Sequence, residues 1–329
     1  MSAKSAPNWL RVVMTFDYFT VMPFLARVSW RLALWWGRRR GDLKFWWRTV
    51  GREAAIANLR HAYDDALPPA DARRIIRDCF RTQTCEEAET FFYPELAGDR
   101  LARFVTVEGR EHLDAALAAG RGAIVFSSHY GSMCLAIIML ARLGYRMHVM
   151  ARSLEPDDNP LNEVVRIYGE AKVAELERIC GIPFIITGKP GATERMRAAL
   201  AAGEILYMLL SVPPELARRR ARVRFLGHPA ELPAGAEVLA AESGAALVPF
   251  TVRRDAGRLG HTFTIHPRVL GPEAGEGTMQ RCIDVLEEQI RVDPSQFFMW
   301  EYARSFWLPE ADTIDGRGHT GYEANAHAS

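Results

Sequence analysis

The residues best suited to chemistry lie in one short stretch, residues 125–132, Val-Phe-Ser-Ser-His-Tyr-Gly-Ser. An imidazole titrates near neutral pH, so His129 can serve as a general base. Ser128, Gly131 and Ser132 surround it in a polar turn that follows an apolar run and precedes an apolar helical pattern. In α/β sheets, ligands bind beyond the carboxyl ends of strands, which is where such a turn falls. A satisfied structural histidine is the plainer alternative. Cys134 sits five residues past His129, between Met133 and Leu135. It would be a nucleophile if ionised and an inert thiol if buried. Further along, Arg218, Arg219, Arg220, Arg222 and Arg224 form a basic run. In a strand, Arg220, Arg222 and Arg224 share one face and Ala221, Val223 and Phe225 the other. Such a face could cradle a phosphate group. It could equally be a charged, solvated edge.

These residues need a frame to position them. Residues 122–128, 146–151, 183–187, 204–211, 222–226, 246–253 and 262–267 read as strands, the first as a continuous apolar run that suits burial on both faces. Helical patterns at 132–143, 160–180, 192–202, 235–243 and 278–292 alternate with them. Residues 50–118 read as helices with charged faces. The expected architecture is α/β, a mostly parallel central sheet flanked by helices, with an amphipathic N-terminal extension. The expected organisation is a helical segment over 1–52, an α/β domain over 53–309 and a disordered tail over 310–329. Met133, Met139, Met147 and Met150 could line an apolar tunnel or simply fill the core.

Charge is unevenly distributed. The chain holds 41 Lys+Arg against 40 Asp+Glu, yet residues 1–52 carry ten basic residues and only Asp17 and Asp42. Six of the eight tryptophans, Trp9, Trp30, Trp35, Trp36, Trp46 and Trp47, fall in the same segment. Tryptophan favours the headgroup boundary, and basic residues favour an anionic leaflet. The segment is too interrupted by charge to span a bilayer, and it lacks the order of a secretory signal. It reads as an interfacial element on the cytoplasmic face of the inner membrane, peripheral or monotopic. The alternative is a core helix with a basic face. The five cysteines include no CxxC pair, which argues against a disulfide framework or a zinc site, and no metal is expected. Nucleic-acid binding is excluded by the mildly acidic body and the lack of a recognised module.

A resemblance ties these features together. The stretches EAAIANL at 53–59, CEEAE at 85–89, VEG at 107–109, SHYG at 128–131, MAR at 150–152 with Asn159-Pro160, FLG at 225–227, PAGAEVLAA at 233–241 and QFFMWEYAR at 296–304 occur in matching order. Together they resemble the lipid A biosynthesis late acyltransferases (lauroyl/myristoyl transferases), within the lysophospholipid/glycerolipid acyltransferase superfamily. The resemblance implies an enzyme that moves an acyl group from a thioester, on acyl carrier protein or coenzyme A, to a hydroxyl or amine of a lipid or small amphipathic acceptor. It implies no cofactor beyond that co-substrate. His129 matches the histidine of the family's His-x4-Asp/Glu motif, and Arg152 matches its arginine. Cys134 stands where the acid should be. Ser211-Val212 stands where an acidic Asp-Gln/His pair is usual.

Three readings remain open. In one, the protein is an acyltransferase in which His129 is oriented by Ser128, Ser132, a backbone carbonyl or a distant acid such as Glu204 or Glu301. Here Arg152 contacts the anion or transition state, Gly131 and Ser132 present backbone N–H groups, and Ser128, Ser211 and the β-arginines contact substrate. In the second, Cys134 carries the acyl group covalently. In the third, the fold binds a lipid or acyl chain without turnover. The acceptor could be lipid A-like or belong to a specialised natural-product pathway.

Overall fold

The computed structural model describes residues 8–96, 101–155, 163–255, 260–269 and 277–309. The expected tail at 310–329 and the Asn159-Pro160 segment lie outside the described residues.

The N-terminal layer is helical: α1 (Asn8–Phe16), a π-helical turn (Asp17–Val21), α2 (Met22–Val28), α3 (Trp30–Trp47), α4 (Thr49–His61) and α5 (Pro69–Glu89), then the short α6 (Tyr93–Leu96) and α7 (Leu101–Phe104). The body alternates β1 (Val105–Glu108), α8 (Arg110–Leu117), β2 (Ala123–Ser127), α9 (Met133–Arg142), β3 (Met147–Ala151), α10 (Glu163–Cys180), β4 (Ile185–Ile186), α11 (Ala192–Ala201) and β5 (Ile205–Leu209). It continues with β6 (Arg220–Phe225), β7 (His228–Pro233), α12 (Gly235–Ser243), β8 (Ala246–Arg254), β9 (His261–Ile265) and α13 (Thr278–Val292). Seven strands form one sheet in the order β1-β9-β8-β2-β5-β3-β4. Every neighbouring pair is parallel except β8 and β9. The expected α/β class is therefore the observed one. Sequence reading passes over β1, which is four residues between two helices, and β7, which carries Pro229 and Pro233. In the two-stranded β6–β7 hairpin these prolines stand opposite Arg224 and Arg220, and the outer side of β7 meets the 306–308 segment, where the Leu308 N–H donates to the Pro229 carbonyl at 2.9 Å.

The central strand explains itself. All five residues of β2 are buried. Ile124 and Phe126 join the core on one face with α5, α11, α12 and α13, while Ala123 and Val125 join the other with α8 and α9. Each such side chain contributes on the order of 1.5–3 kcal/mol if large. The methionines divide too. Met139 and Met147 fill one core and Met150 packs against the other, so together they line no single tunnel.

The N-terminal layer is fastened to the body. An added Cβ at Gly41 would lie 2.5 Å from the Arg81 Cα, and one at Gly37 3.0 Å from the Thr84 carbonyl oxygen. These two glycines, one turn apart on α3, let that helix lie directly on α5. Thr84 donates its hydroxyl to the Gly37 carbonyl at 2.7 Å, and Asp42 accepts from Arg77 and Arg81, each at 2.7 Å. Arg40, part of the Arg38–Arg39–Arg40 run, turns inward to Asp17 at 2.6 Å and Glu87 at 3.0 Å.

Candidate active site

The turn between β2 and α9 is built by close backbone contact. Gly131 has φ +57°, and a Cβ there would fall 1.8 Å from the Val252 carbonyl oxygen. Only glycine accepts both the left-handed backbone and that approach. The Gly131 N–H donates to the Gln296 carbonyl at 2.8 Å, and the Ser132 N–H to the Val252 carbonyl at 3.1 Å. The Phe298 N–H in turn donates to the His129 carbonyl at 2.8 Å, and Tyr130 bridges Phe297. The closing Gln296–Phe298 segment thus clamps the turn. The expectation that Gly131 and Ser132 present N–H groups to a substrate is not met, because both donors already have carbonyl acceptors.

His129 stands just past β2 and is partly buried. Its Nδ1 lies 2.9 Å from the Ser211 Oγ, and its backbone N–H donates to the same oxygen at 2.8 Å. Ser211 is buried just past β5, the strand next to β2. The Leu210 N–H donates to the Ser127 carbonyl at 2.8 Å, which keeps the two strand ends in step. Arg152 follows β3, on the far side of β5, and is exposed. Three adjacent strands therefore deliver His129, Ser211 and Arg152 to one end of the sheet. Burial pushes the His129 imidazole down to about 4, against the opposing effect of its hydrogen bond to Ser211. The ring is neutral at physiological pH. Because the Ser211 oxygen has two lone pairs, it can accept from both the backbone N–H and Nδ1–H, which leaves the Nε2 lone pair for a proton.

The acids named from sequence are elsewhere. Glu204 immediately precedes β5, at the opposite end of the sheet, and pairs with Arg146 at 2.5 Å and His148 at 2.7 Å. Glu301 pairs with Arg48 at 2.5 Å. Ser132 turns away from His129, and its Oγ lies 2.8 Å from the His261 Nε2. That ring also meets Glu89 at 3.1 Å, and Glu89 is paired with Arg254. Sequence reading includes Glu89 in the CEEAE stretch without giving it this partner. It misses His261 and Arg254 altogether, because contacts between residues more than a hundred positions apart leave no spacing to read.

Cys134 follows the first residue of α9, partly buried. Burial pushes its thiol up to about 12, and the nearby Lys172 does not offset this. Lys172 is held at 2.5 Å by the buried Glu86. A thiol so high is protonated at neutral pH, which works against the covalent route. Arg220, Arg222 and Arg224 do share the exposed face of β6, while Val223 and Phe225 are buried. Glu231 on β7 lies 3.5 Å from Arg220 and 3.8 Å from Arg222, and Arg224 donates to the Gly227 carbonyl at 2.6 Å. The buried face carries Phe225, whose ring centroid is 6.2 Å from that of Phe297 beside the turn. The arginine face therefore looks away from His129, not into its site. Among the described residues, no cluster of His, Cys, Asp and Glu could hold a metal ion.

Apolar exposure is concentrated in the N-terminal layer. Among the described residues, thirteen of the seventeen exposed large apolar side chains lie between Trp9 and Val50, so this layer differs from the rest of the surface. They include Phe16, Phe24, Trp35, Trp46 and Trp47, with Arg27, Arg31, Arg38 and Arg39 exposed among them. No described helix is long and apolar enough to cross a membrane.

The chain is 29% identical over 233 residues to the phosphatidylinositol mannoside acyltransferase of Mycobacterium tuberculosis, covering 70% of this chain and 68% of the relative. The protein of the same name from Mycolicibacterium smegmatis is 28% identical over 203 residues, 61% of this chain and 63% of the relative. The lipid A biosynthesis lauroyltransferase of Escherichia coli is 27% identical over 234 residues, 68% of each chain. Residues 8–302 match the family described as bacterial lipid A biosynthesis acyltransferase. The chain belongs to that family and is an acyltransferase acting on lipid-like acceptors.

Proposed function

We propose that this protein transfers an acyl group from a thioester, on acyl carrier protein or coenzyme A, to a hydroxyl of a membrane glycolipid, with His129 as general base. The observation that carries this reading is His129 at the carboxyl end of β2, its Nδ1 on the Ser211 hydroxyl. Nε2 takes the proton of the acceptor hydroxyl as its oxygen attacks the thioester carbonyl. The tetrahedral intermediate collapses, the C–S bond breaks, and the leaving thiolate takes the proton back from the imidazolium. The products are an ester and a thiol, and no further co-reactant is needed. An imidazolium destabilised by burial is a strong acid toward that thiolate, whose ordinary pKa is near 8.5. Arg152, just past β3, would meet the carbonyl oxygen or an acceptor phosphate. An amine acceptor would react by the same steps.

Relatives named for phosphatidylinositol mannoside and for lipid A support a glycolipid acceptor. The Trp- and Arg-rich face of α1–α3 supports peripheral docking on the cytoplasmic leaflet of the inner membrane, where such an acceptor resides. The test uses purified full-length protein with palmitoyl-coenzyme A or palmitoyl-acyl carrier protein. Vesicles carry phosphatidylinositol mannoside or a lipid A precursor. Thioester consumption is expected with at least one pair and should vanish in His129→Ala. Undiminished turnover in His129→Ala would remove the histidine from this role.

A further inference from the structure

Beneath the turn lies a set of buried polar groups for which the mechanism has no direct use. Glu89 at the end of α5, His261 at the start of β9 and Ser132 at the head of α9 are all enclosed, and Arg254 at the end of β8 is nearly so. They meet at one carboxylate oxygen. The Glu89 Oε1 takes the Arg254 guanidinium and lies 3.1 Å from the His261 Nε2, which lies 2.8 Å from the Ser132 Oγ. Arg254 Nη2 also reaches the Ser132 Oγ at 3.5 Å. Burial opposes charge on Glu89, but Arg254 and His261 hold its carboxyl down to about 2. With Glu89 ionised, the His261 proton belongs on Nε2 and its orphaned Nδ1 carries only a lone pair.

The residue types suggest a nucleophile relay, but the geometry rejects one. Ser132 and Glu89 meet the same nitrogen of His261, so the ring cannot pass a proton from one to the other. The contacts do something else. Arg254 grips the turn twice. Its side chain bonds Glu89 and Ser132, and its backbone N–H donates to the Gln296 Oε1 at 2.7 Å. Gln296 is itself held by Asp293 at 2.7 Å, and its carbonyl accepts the Gly131 N–H. A ring of hydrogen bonds therefore closes around Gly131 and Ser132, adjacent to His129. Enclosing three ionisable groups is costly, and an apolar trio of equal volume would often be as stable. What the polar set adds is a fixed point for the start of α9.

We propose that Glu89, Arg254 and His261 are positioning residues that lock the 129–132 turn so that His129 is held ready for the acceptor proton. This rests on the reading of His129 as the base. His261→Leu removes the N–H, and His261→Gln retains an amide N–H donor. In the Leu variant, amide exchange in peptides spanning 127–134 should rise about tenfold, with β5 and β8 protected as in the wild type. Palmitoyl-coenzyme A consumption should show kcat lowered about 10–100-fold with KM within about twofold, because a small misplacement of a reacting group is costly. The Gln variant should recover most of both. If His261→Leu fails to fold, Ser132→Ala should give the same local exchange and the same kcat loss. Native exchange at the turn, or kcat lost without rescue by Gln, would overturn the proposal. His129→Ala separates the two ideas. It should abolish turnover and leave exchange at the turn native, and turnover surviving in that variant would defeat the base while the exchange measurement still decides the lock.

Discussion

The two sides of the 129–132 turn are opposites. On the His129 side, one histidine meets a hydroxyl, Ser211, and, among the described residues, no carboxylate. On the Ser132 side, a second histidine is locked to an ionised carboxylate and an arginine, enclosed by the core. The difference teaches where this chain spends its acidic residues. The resemblance puts acids at the positions of Cys134 and Ser211, where they would stabilise a charged base. Here the acids near the turn support structure instead: Glu89 holds Ser132 and Glu86 holds Lys172. Charge fixes the position of the frame, and the proposed base is a neutral, poorly basic ring.

That contrast can be broken most severely at the hinge between its halves. Gly131→Ala would force a Cβ to 1.8 Å from the Val252 carbonyl, so the turn must move or unfold. Turnover is expected to fall by about 10²-fold or more, read as thioester consumption by folded protein. Glu89→Ala leaves Arg254 as a buried unpaired cation, with a cost of about 3–5 kcal/mol. Its thermal midpoint should drop by several degrees, whereas Ser211→Ala, which takes the acceptor from the His129 N–H, should lower the midpoint by less. Ser211→Ala should instead lower kcat about tenfold, in line with the loss of one orienting hydrogen bond worth about 1 kcal/mol. Replacing Trp35, Trp46 and Trp47 together by Ala should weaken flotation with anionic vesicles and spare turnover of a soluble short-chain thioester. Equal flotation would remove this face as the docking surface. The smallest effect belongs to Cys134→Ala. Its thiol is protonated, so kcat should stay within about threefold of wild type, and mass spectrometry after single turnover should find no acyl adduct there.

Much of this was legible from local pattern. The five-residue run of β2 and the apolar start of α9 announce a strand, a turn and a helix, and His129 stands out in that turn. Alternation along residues 220–225 correctly divides arginines from apolar residues. The even clustering of Trp and Arg near the N-terminus anticipates the exposed aromatic face. What escaped depends on long-range contact. Ser211 can be noticed as a missing acid, but its bond to His129 spans 82 residues. Glu89, His261 and Arg254 come from three elements that only the fold brings together. Arg40 reads as one more surface cation, yet the Gly37 and Gly41 face presses α3 onto α5 and carries it inward.

The pH dependence of kcat/KM tests the central claim most directly: a proposed base oriented by the Ser211 hydroxyl, with no carboxylate behind it among the described residues. With the His129 imidazole held down to about 4, wild-type kcat/KM should stay level on the acid side until pH falls through about 4. In Ser211→Asp, a carboxylate beside Nδ1 would favour the imidazolium, and the acid limb should move up toward or past the ordinary histidine value of about 6.5. A wild-type limb already near or above 6.5, unmoved by Ser211→Asp, would contradict the account.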